Sequence, residues 1–216
     1  MKSFAKKMSH VLWLVVLAGV TTSVLAQAGL RPEVHKPLVA AQDALKNNQT
    51  EQALRLAAEA ASVPSLTAVE KPLVWRLQAV AALRAQQWAL AIERLEGLLD
   101  LPQMPASDRL ILQEMLVNAS VQNKDAARTV RVARQYLQAG GSNLSVRMAL
   151  LQSLSLQGDH KALVQDMQGF IEQDQAQNRK TPEAELRLMG TACLQLKDEA
   201  GYFSALKRLL ALYPSK

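Results

Sequence analysis

One polar turn, followed by a helix start with a small or apolar residue at a fixed depth, recurs along this chain. Asn48-Gln49-Thr50-Glu51-Gln52-Ala53-Leu54 returns as Gln86-Gln87-Trp88-Ala89-Leu90-Ala91-Ile92, and more faintly as Gly158-Asp159-His160-Lys161-Ala162-Leu163. With Ala53, Ala91, Thr129, Leu163 and Ala205 taken as equivalent, the spacings are 38, 38, 34 and 42 residues. A period of this size marks a helical repeat array. Each unit is a helix hairpin that cannot bury its apolar face alone, so neighbouring hairpins stack to build a shared core.

The pattern predicts an all-α, right-handed solenoid of about five antiparallel hairpins. The expected helices are 37–47 with 50–62, 70–85 with 88–100, 107–122 with 125–139, 143–157 with 159–175, and 182–196 with 198–213. No segment alternates apolar and polar residues long enough to read as a strand. Pro37, Pro72 and Pro182 fall where first helical turns are expected, positions at which a missing N–H costs little. Thr181-Pro182-Glu183 reads as an N-cap, a first-turn proline and an early acid, and Asp159 and Asp198 read as N-caps after short turns. Gly140-Gly141 ends the sixth helix, because glycine enters the left-handed cap conformation at little cost.

The first residues read as an address. Lys2, Lys6 and Lys7 make a basic start, Val11–Val20 is an apolar run, and Val24-Leu25-Ala26 places small residues for cleavage after Ala26, with a second site after Ala28. This is the layout of a secretory leader. Residues 11–26 are too short and too interrupted for a span, which needs about 20 apolar residues. The expected organisation is therefore a leader over 1–26, an extended segment over 27–36 and the solenoid over 37–216, in a periplasmic or secreted protein with no stable span after cleavage.

Removing the leader lysines leaves 22 basic and 19 acidic residues, a net charge near +3. That excess is mild, and aromatic residues are only 4% of the chain, so neither a basic patch nor a stacking platform for nucleic acid is visible. The lone Cys193 lies within an apolar helical run and reads as a small buried residue rather than a reactive thiol. His35 and His160 have no Cys or His at metal-ligand spacing. There is no glycine-rich phosphate loop and no nucleophile elbow. The expectation is a non-enzyme with no catalytic, metal or cofactor site.

Trp75, Ala79, Ala82, Trp88, Ala91 and Leu95 place a large residue, then small ones, on one helix and an aromatic before a small–large pair on the next. That order resembles the tetratricopeptide repeat family. The first repeat matches at Ala41, Ala53, Leu54, Ala57 and Ala60 with Thr50 in place of the aromatic, and later repeats carry Ala126 and His160 there. The mature start Leu30-Arg31-Pro32-Glu33-Val34, with Lys36-Pro37-Leu38, resembles exported bacterial proteins of this family, and more distantly the periplasmic ones found with TonB systems. The resemblance implies a scaffold that grips a peptide or helix of an envelope protein on a concave face lined by first helices. The lining residues in that register are Arg76, Val80, Leu83 and Arg84, then Glu114, Asn118 and Gln122, then Met148 and Gln152. Arg76 and Arg84 lie two turns apart and are read either as a clamp for a carboxylate or as solvated surface.

A structural subunit is the alternative reading. The last helix spreads Tyr202, Phe203, Ala205, Leu206, Leu209, Leu210, Leu212 and Tyr213 around most of its circumference, more than the roughly 100° an inner stripe needs. Phe203, Leu206, Leu210 and Tyr213 are therefore expected to form a terminal interface, covered by further chain, a partner or a second copy in a homo-oligomer.

Overall fold

The computed structural model describes residues 29–102 and 104–214. The leader and its cleavage points lie outside these. The described residues form ten helices and no strand. They are α1 (Pro32–Lys46), α2 (Thr50–Ser62), α3 (Glu70–Arg84), α4 (Trp88–Leu99), α5 (Ala106–Gln122), α6 (Ala126–Gln138), α7 (Leu144–Leu156), α8 (His160–Ala176), α9 (Glu183–Gln195) and α10 (Glu199–Leu212). The fold is an all-α helical repeat of five hairpins. The chain divides into two compact units, residues 1–100 with two hairpins and 101–216 with three. Within the first, α3 packs on α1 and α2 as well as on its own partner α4. Within the second, the first helices of successive hairpins pack in series, α5 on α7 and α7 on α9, and each second helix packs on the next hairpin's first.

One turn makes all five hairpins. Asn48, Gln86, Lys124, Gly158 and Lys197 each adopt positive φ, between 57° and 73°. Each donates its N–H back to a helix carbonyl, and the following residue reaches the carbonyl one residue further back: Gln49 to Ala44, Gln87 to Ala82, Asp125 to Ser120, Asp159 to Leu154 and Asp198 to Cys193. These paired bonds satisfy carbonyls that a helix end leaves orphaned. In the last three turns the next helix is capped at once, with Asp125, Asp159 and Asp198 accepting from the N–H of Arg128, Ala162 and Gly201.

Numbering from the left-handed residue gives a strict register. The residue five positions on is Ala53, Ala91, Thr129, Leu163 and Tyr202, and each donates its N–H to the carbonyl of the residue just after the left-handed one. The fifth equivalent is therefore Tyr202 rather than Ala205, and the last spacing is 39 residues, not 42. The bulk of Tyr202 is accommodated on the facing helix. Seven residues before each left-handed residue stand Ala41, Ala79, Val117, Leu151 and Gly190, all buried. A Cβ on Gly190 would lie 3.7 Å from the Tyr202 ring. Large thus faces small, and the interior stays filled.

Two boundaries differ from the sequence expectation. The segment over 27–36 is not extended throughout, since α1 starts at Pro32, whose missing N–H falls among the orphan donors of the first turn and whose neighbour Glu33 suits the helix dipole. At α9 the N-cap is Pro182, and the carbonyl of Thr181 instead accepts a hydrogen bond from Tyr213 at 3.0 Å.

The start of the first unit is fastened by an ion pair. Glu70 and Thr67 form a reciprocal capping box, Thr67 N–H to Glu70 at 2.9 Å and Glu70 N–H to Thr67 Oγ1 at 3.2 Å. Arg31, just before α1, donates its backbone N–H and its guanidinium to the same carboxylate, at 3.1 Å and 2.8 Å. The Arg31 side chain, then the Thr67 N–H, hold the Glu70 carboxyl down at about 2, against an ordinary value of 4.5. A depressed carboxyl stabilises the fold above its unfolded pKa and stops doing so as pH falls through the folded value. In urea titrations, the stability gap between the protein and Glu70→Gln is expected to be full above pH 5 and to shrink between pH 4.5 and 2.

The turn geometry makes a second prediction. A non-glycine residue in the left-handed region costs about 1–2 kcal/mol, partly offset by the roughly 0.5–1 kcal/mol entropic cost of glycine. Lys124→Gly and Lys197→Gly should each stabilise by about 0.5 kcal/mol. Gly158→Ala should destabilise by a similar amount through backbone strain, since a Cβ there meets nothing within 4 Å. Thermal melts of the three variants check the signs.

Candidate interaction surface

The common turn fixes which first-helix residues share a depth. Positions ten, six and three before the left-handed residue lie on one helix face. In the second unit these are Glu114, Asn118 and Val121 on α5, Met148, Gln152 and Ser155 on α7, and Arg187, Thr191 and Leu194 on α9. None of the nine is buried. Val121 is 40% and Leu194 56% exposed. Because α5, α7 and α9 pack in series, the middle positions line up as Asn118, Gln152 and Thr191, three neutral hydrogen-bonding side chains on consecutive helices. Packed helix axes lie about 8–10 Å apart, roughly the span of three residues of extended chain at about 3.3 Å each.

The flanking charges are already engaged within the unit. Glu114 accepts from the Tyr136 hydroxyl and from Asn143 Nδ2 at 3.1 Å, while the Asn143 N–H donates to the Tyr136 oxygen at 3.1 Å. Burial, and then the Glu114 carboxylate, push the Tyr136 phenol up to about 12. Arg187 is bound to Glu183 one turn earlier, with Nε to Oε1 at 2.8 Å. Thr191 is exposed and donates its hydroxyl to the Arg187 carbonyl at 3.1 Å. What the row offers is therefore amide and hydroxyl groups between apolar Val121, Met148 and Leu194, with little net charge.

The equivalent face of the first unit is closed. Leu38, Gln42 and Leu45 on α1, and Val80 and Leu83 on α3, are all buried. Val80 does not line a surface, because α3 is enclosed by α1, α2 and α4 and every residue from 77 to 83 is buried. Arg84 donates Nη1 to the Leu45 carbonyl, capping the end of α1 across the hairpin stack, and burial lowers its pKa. Arg76 is half-buried. The structure thus places Asn118, Gln122, Met148 and Gln152 on an accessible face, uses Glu114 and Arg84 internally, and buries Val80 and Leu83. Gln122 is exposed one residue beyond the row.

A buried ionic cluster sets the platform on which α7 and α9 sit. Arg147 on α7 is 1% exposed and binds both oxygens of Asp174 on α8, at 2.8 Å and 3.1 Å, as well as Glu185 on α9. Arg179, in the α8–α9 connection, also binds Asp174, with Nε at 2.8 Å. The Phe170 ring lies 4.3 Å from the Arg147 guanidinium. Burial opposes ionisation of both acids. Asp174 faces two guanidiniums, which outweigh burial and hold it below the usual range, whereas Glu185 has the weaker share of Arg147 and burial pushes it up. Cys193 is fully buried nearby in sequence on α9, and burial raises its thiol pKa.

Sequence reasoning missed this cluster, and it missed the α9 members Arg187, Thr191 and Leu194. The α9 residues were hidden by the three-residue register error in the fifth repeat. For the cluster, the one local sign is that Arg147 is the single charge on an otherwise uncharged helix, with no acid one turn away.

Removing one member of a buried pair costs about 3–5 kcal/mol, whereas apolar replacement of all members is far cheaper. Arg147→Met is therefore expected to destabilise the protein by about 3 kcal/mol or more. Arg147→Met with Asp174→Leu and Glu185→Leu should recover most of that loss, as denaturant titration would show.

Among the described residues, no group of three or more His, Cys, Asp or Glu side chains is placed to hold a metal ion. No helix among them is long and apolar enough to cross a membrane. In comparison with known proteins, the chain matches no family model and no curated protein, so the geometry itself carries the functional reading.

Proposed function

We propose that this protein is a non-catalytic interaction scaffold of the bacterial cell envelope, and that α5, α7 and α9 together bind an extended peptide segment of a partner. The observation that carries this is the row Asn118, Gln152 and Thr191, at one depth on three consecutively packed helices. Side-chain amides and hydroxyls spaced about three peptide residues apart suit the N–H and C=O groups of an extended backbone, and the flanking Val121, Met148 and Leu194 offer apolar contact. The engaged state of Glu114 and Arg187 argues for a neutral segment rather than a strongly acidic one. Arg84 serves as an internal cap on the Leu45 carbonyl, which argues against a carboxylate clamp formed with Arg76. The basic start, apolar run and small residues before Ala26 support export, and the order of large and small residues in the hairpins supports a tetratricopeptide-type scaffold.

Site-specific photo-crosslinking in intact cells tests this reading. A benzophenone side chain at Gln152 is expected to trap an envelope protein, and one at the exposed Gln135 on α6 is not. Asn118→Ala, Gln152→Ala and Thr191→Ala together should reduce trapping from a neighbouring position by tenfold or more, with the melting temperature unchanged. Equal trapping at both positions, or by the triple variant, would refute the surface.

A further inference from the structure

The last helix carries a second surface, on a different face, whose chemistry is self-complementary. Glu199, Phe203 and Lys207 follow one another at four-residue spacing on α10, and all three are exposed. Phe203 is 63% exposed, and Leu210, within 60° of Lys207 around the helix, is 54% exposed. Leu196, in the turn at the head of α10, is 43% exposed. Leu206 and Tyr213 are half-buried, and the Tyr213 hydroxyl is spent on Thr181. The outward face is thus a row with an aromatic at its centre, an acid four residues before it, a base four residues after it, and a leucine beyond each charge.

Within one chain those charges do not meet. Eight residues of helix separate Glu199 and Lys207, a rise of about 12 Å. Neither has a charged or hydrogen-bonding partner among the described residues. A two-fold axis changes this. In an isologous contact, residue i meets j while j meets i. With the axis at Phe203, the two Phe203 rings pack together, each Glu199 faces the Lys207 of the other copy, and each Leu210 approaches the other's Leu196. The required crossing is the common class in which the four-residue ridges of both helices run alongside each other. Exposed Ala200, Ser204 and Ala211 beside the row leave room for that approach.

We propose that this face pairs with the same face of a second copy, forming an antiparallel α10–α10 dimer. Self-pairing is favoured over an unrelated helix because the charge pattern is already complementary to its own reversal. A single helix pair is at the small end of interface sizes, so the association is weak and depends on concentration. The proposal is independent of peptide binding, which uses the first-helix face.

Sedimentation equilibrium of the purified protein, from micromolar to several hundred micromolar, tests it. The expected result is a monomer–dimer equilibrium. Phe203→Glu should leave only monomer. Lys207→Glu turns both cross-pairs into like charges and should weaken the dimer about tenfold. Glu199→Lys combined with Lys207→Glu should restore it. All these side chains are exposed, so circular dichroism and thermal melts should be unchanged. A monomer at every concentration, a dimer insensitive to Phe203→Glu, or an exchange variant no tighter than Lys207→Glu alone would each overturn the proposal.

Discussion

Everything else in this fold hangs on five left-handed residues. Each hairpin turns through the same two backbone bonds, and those bonds dictate how far each second helix is rotated against its first. Only one of the five residues is glycine, so four turns hold a side chain where the backbone resists it. The strain persists because two orphan carbonyls are satisfied at each turn and because the antiparallel pair beyond it buries its apolar faces. A turn that repeats without variation makes depth along one helix comparable with depth along the next. That is why rows of side chains exist at all on the first-helix layer.

With the turn fixed, side-chain volume is free to vary. The facing pair that is Ala with Ala in the first two hairpins becomes Val with Thr, Leu with Leu, and finally Gly with Tyr. The total volume of the pair is not conserved from hairpin to hairpin, and only in the last does a missing side chain, at Gly190, make room for a large one, Tyr202. Apolar packing is also non-directional, so it leaves the relation between successive hairpins loosely set. Directional contacts supply what is missing within each unit. Arg31 with Glu70 ties the lead-in of the first hairpin to the start of the second. Tyr136, Glu114 and Asn143 tie the third hairpin to the entry of the fourth. Arg147 with Asp174, Glu185 and Arg179 ties the fourth to the fifth.

The legibility of the sequence followed the range of each interaction. The hairpins were readable because their turns are local: a polar pair, a cap and a small residue within about seven positions. The register failed only in the fifth repeat, where Tyr202 occupies the place of a small residue and the buried Ala205, three residues later, resembles the missing mark. The correction lies on the facing helix, at Gly190, beyond the reach of a reading made along α10. Asn118, Gln122, Met148 and Gln152 on the third and fourth hairpins are not buried, because the exposed and buried faces of α5 and α7 alternate at helical spacing, whereas Glu114 is held by Tyr136 and Asn143. In α3 that contrast vanishes, so Val80 and Arg84 carried no sign that the helix is enclosed. The Arg147 cluster joins residues 27 and 38 positions apart, and no local spacing announces such partners.

The cluster also bears on the peptide site proposed for the first-helix layer. A buried arginine with two acids is not an economical way to stabilise a core, because desolvation consumes most of the Coulombic gain. Leucine or methionine in its place would fill the same volume. What an ionic triad provides, and leucine does not, is a single relative placement of three helices, since a bidentate guanidinium tolerates little rotation. The face built on α7 and α9 lies outside that triad. A row of neutral hydrogen-bonding groups can match a peptide backbone only if its spacing is held to a fraction of an ångström, because misplaced polar groups lose their hydrogen bonds while still being desolvated. An arrangement that trades some stability for fixed spacing is what such a surface requires. The cost is placed beneath the fourth and fifth hairpins, which carry two of the row's three side chains.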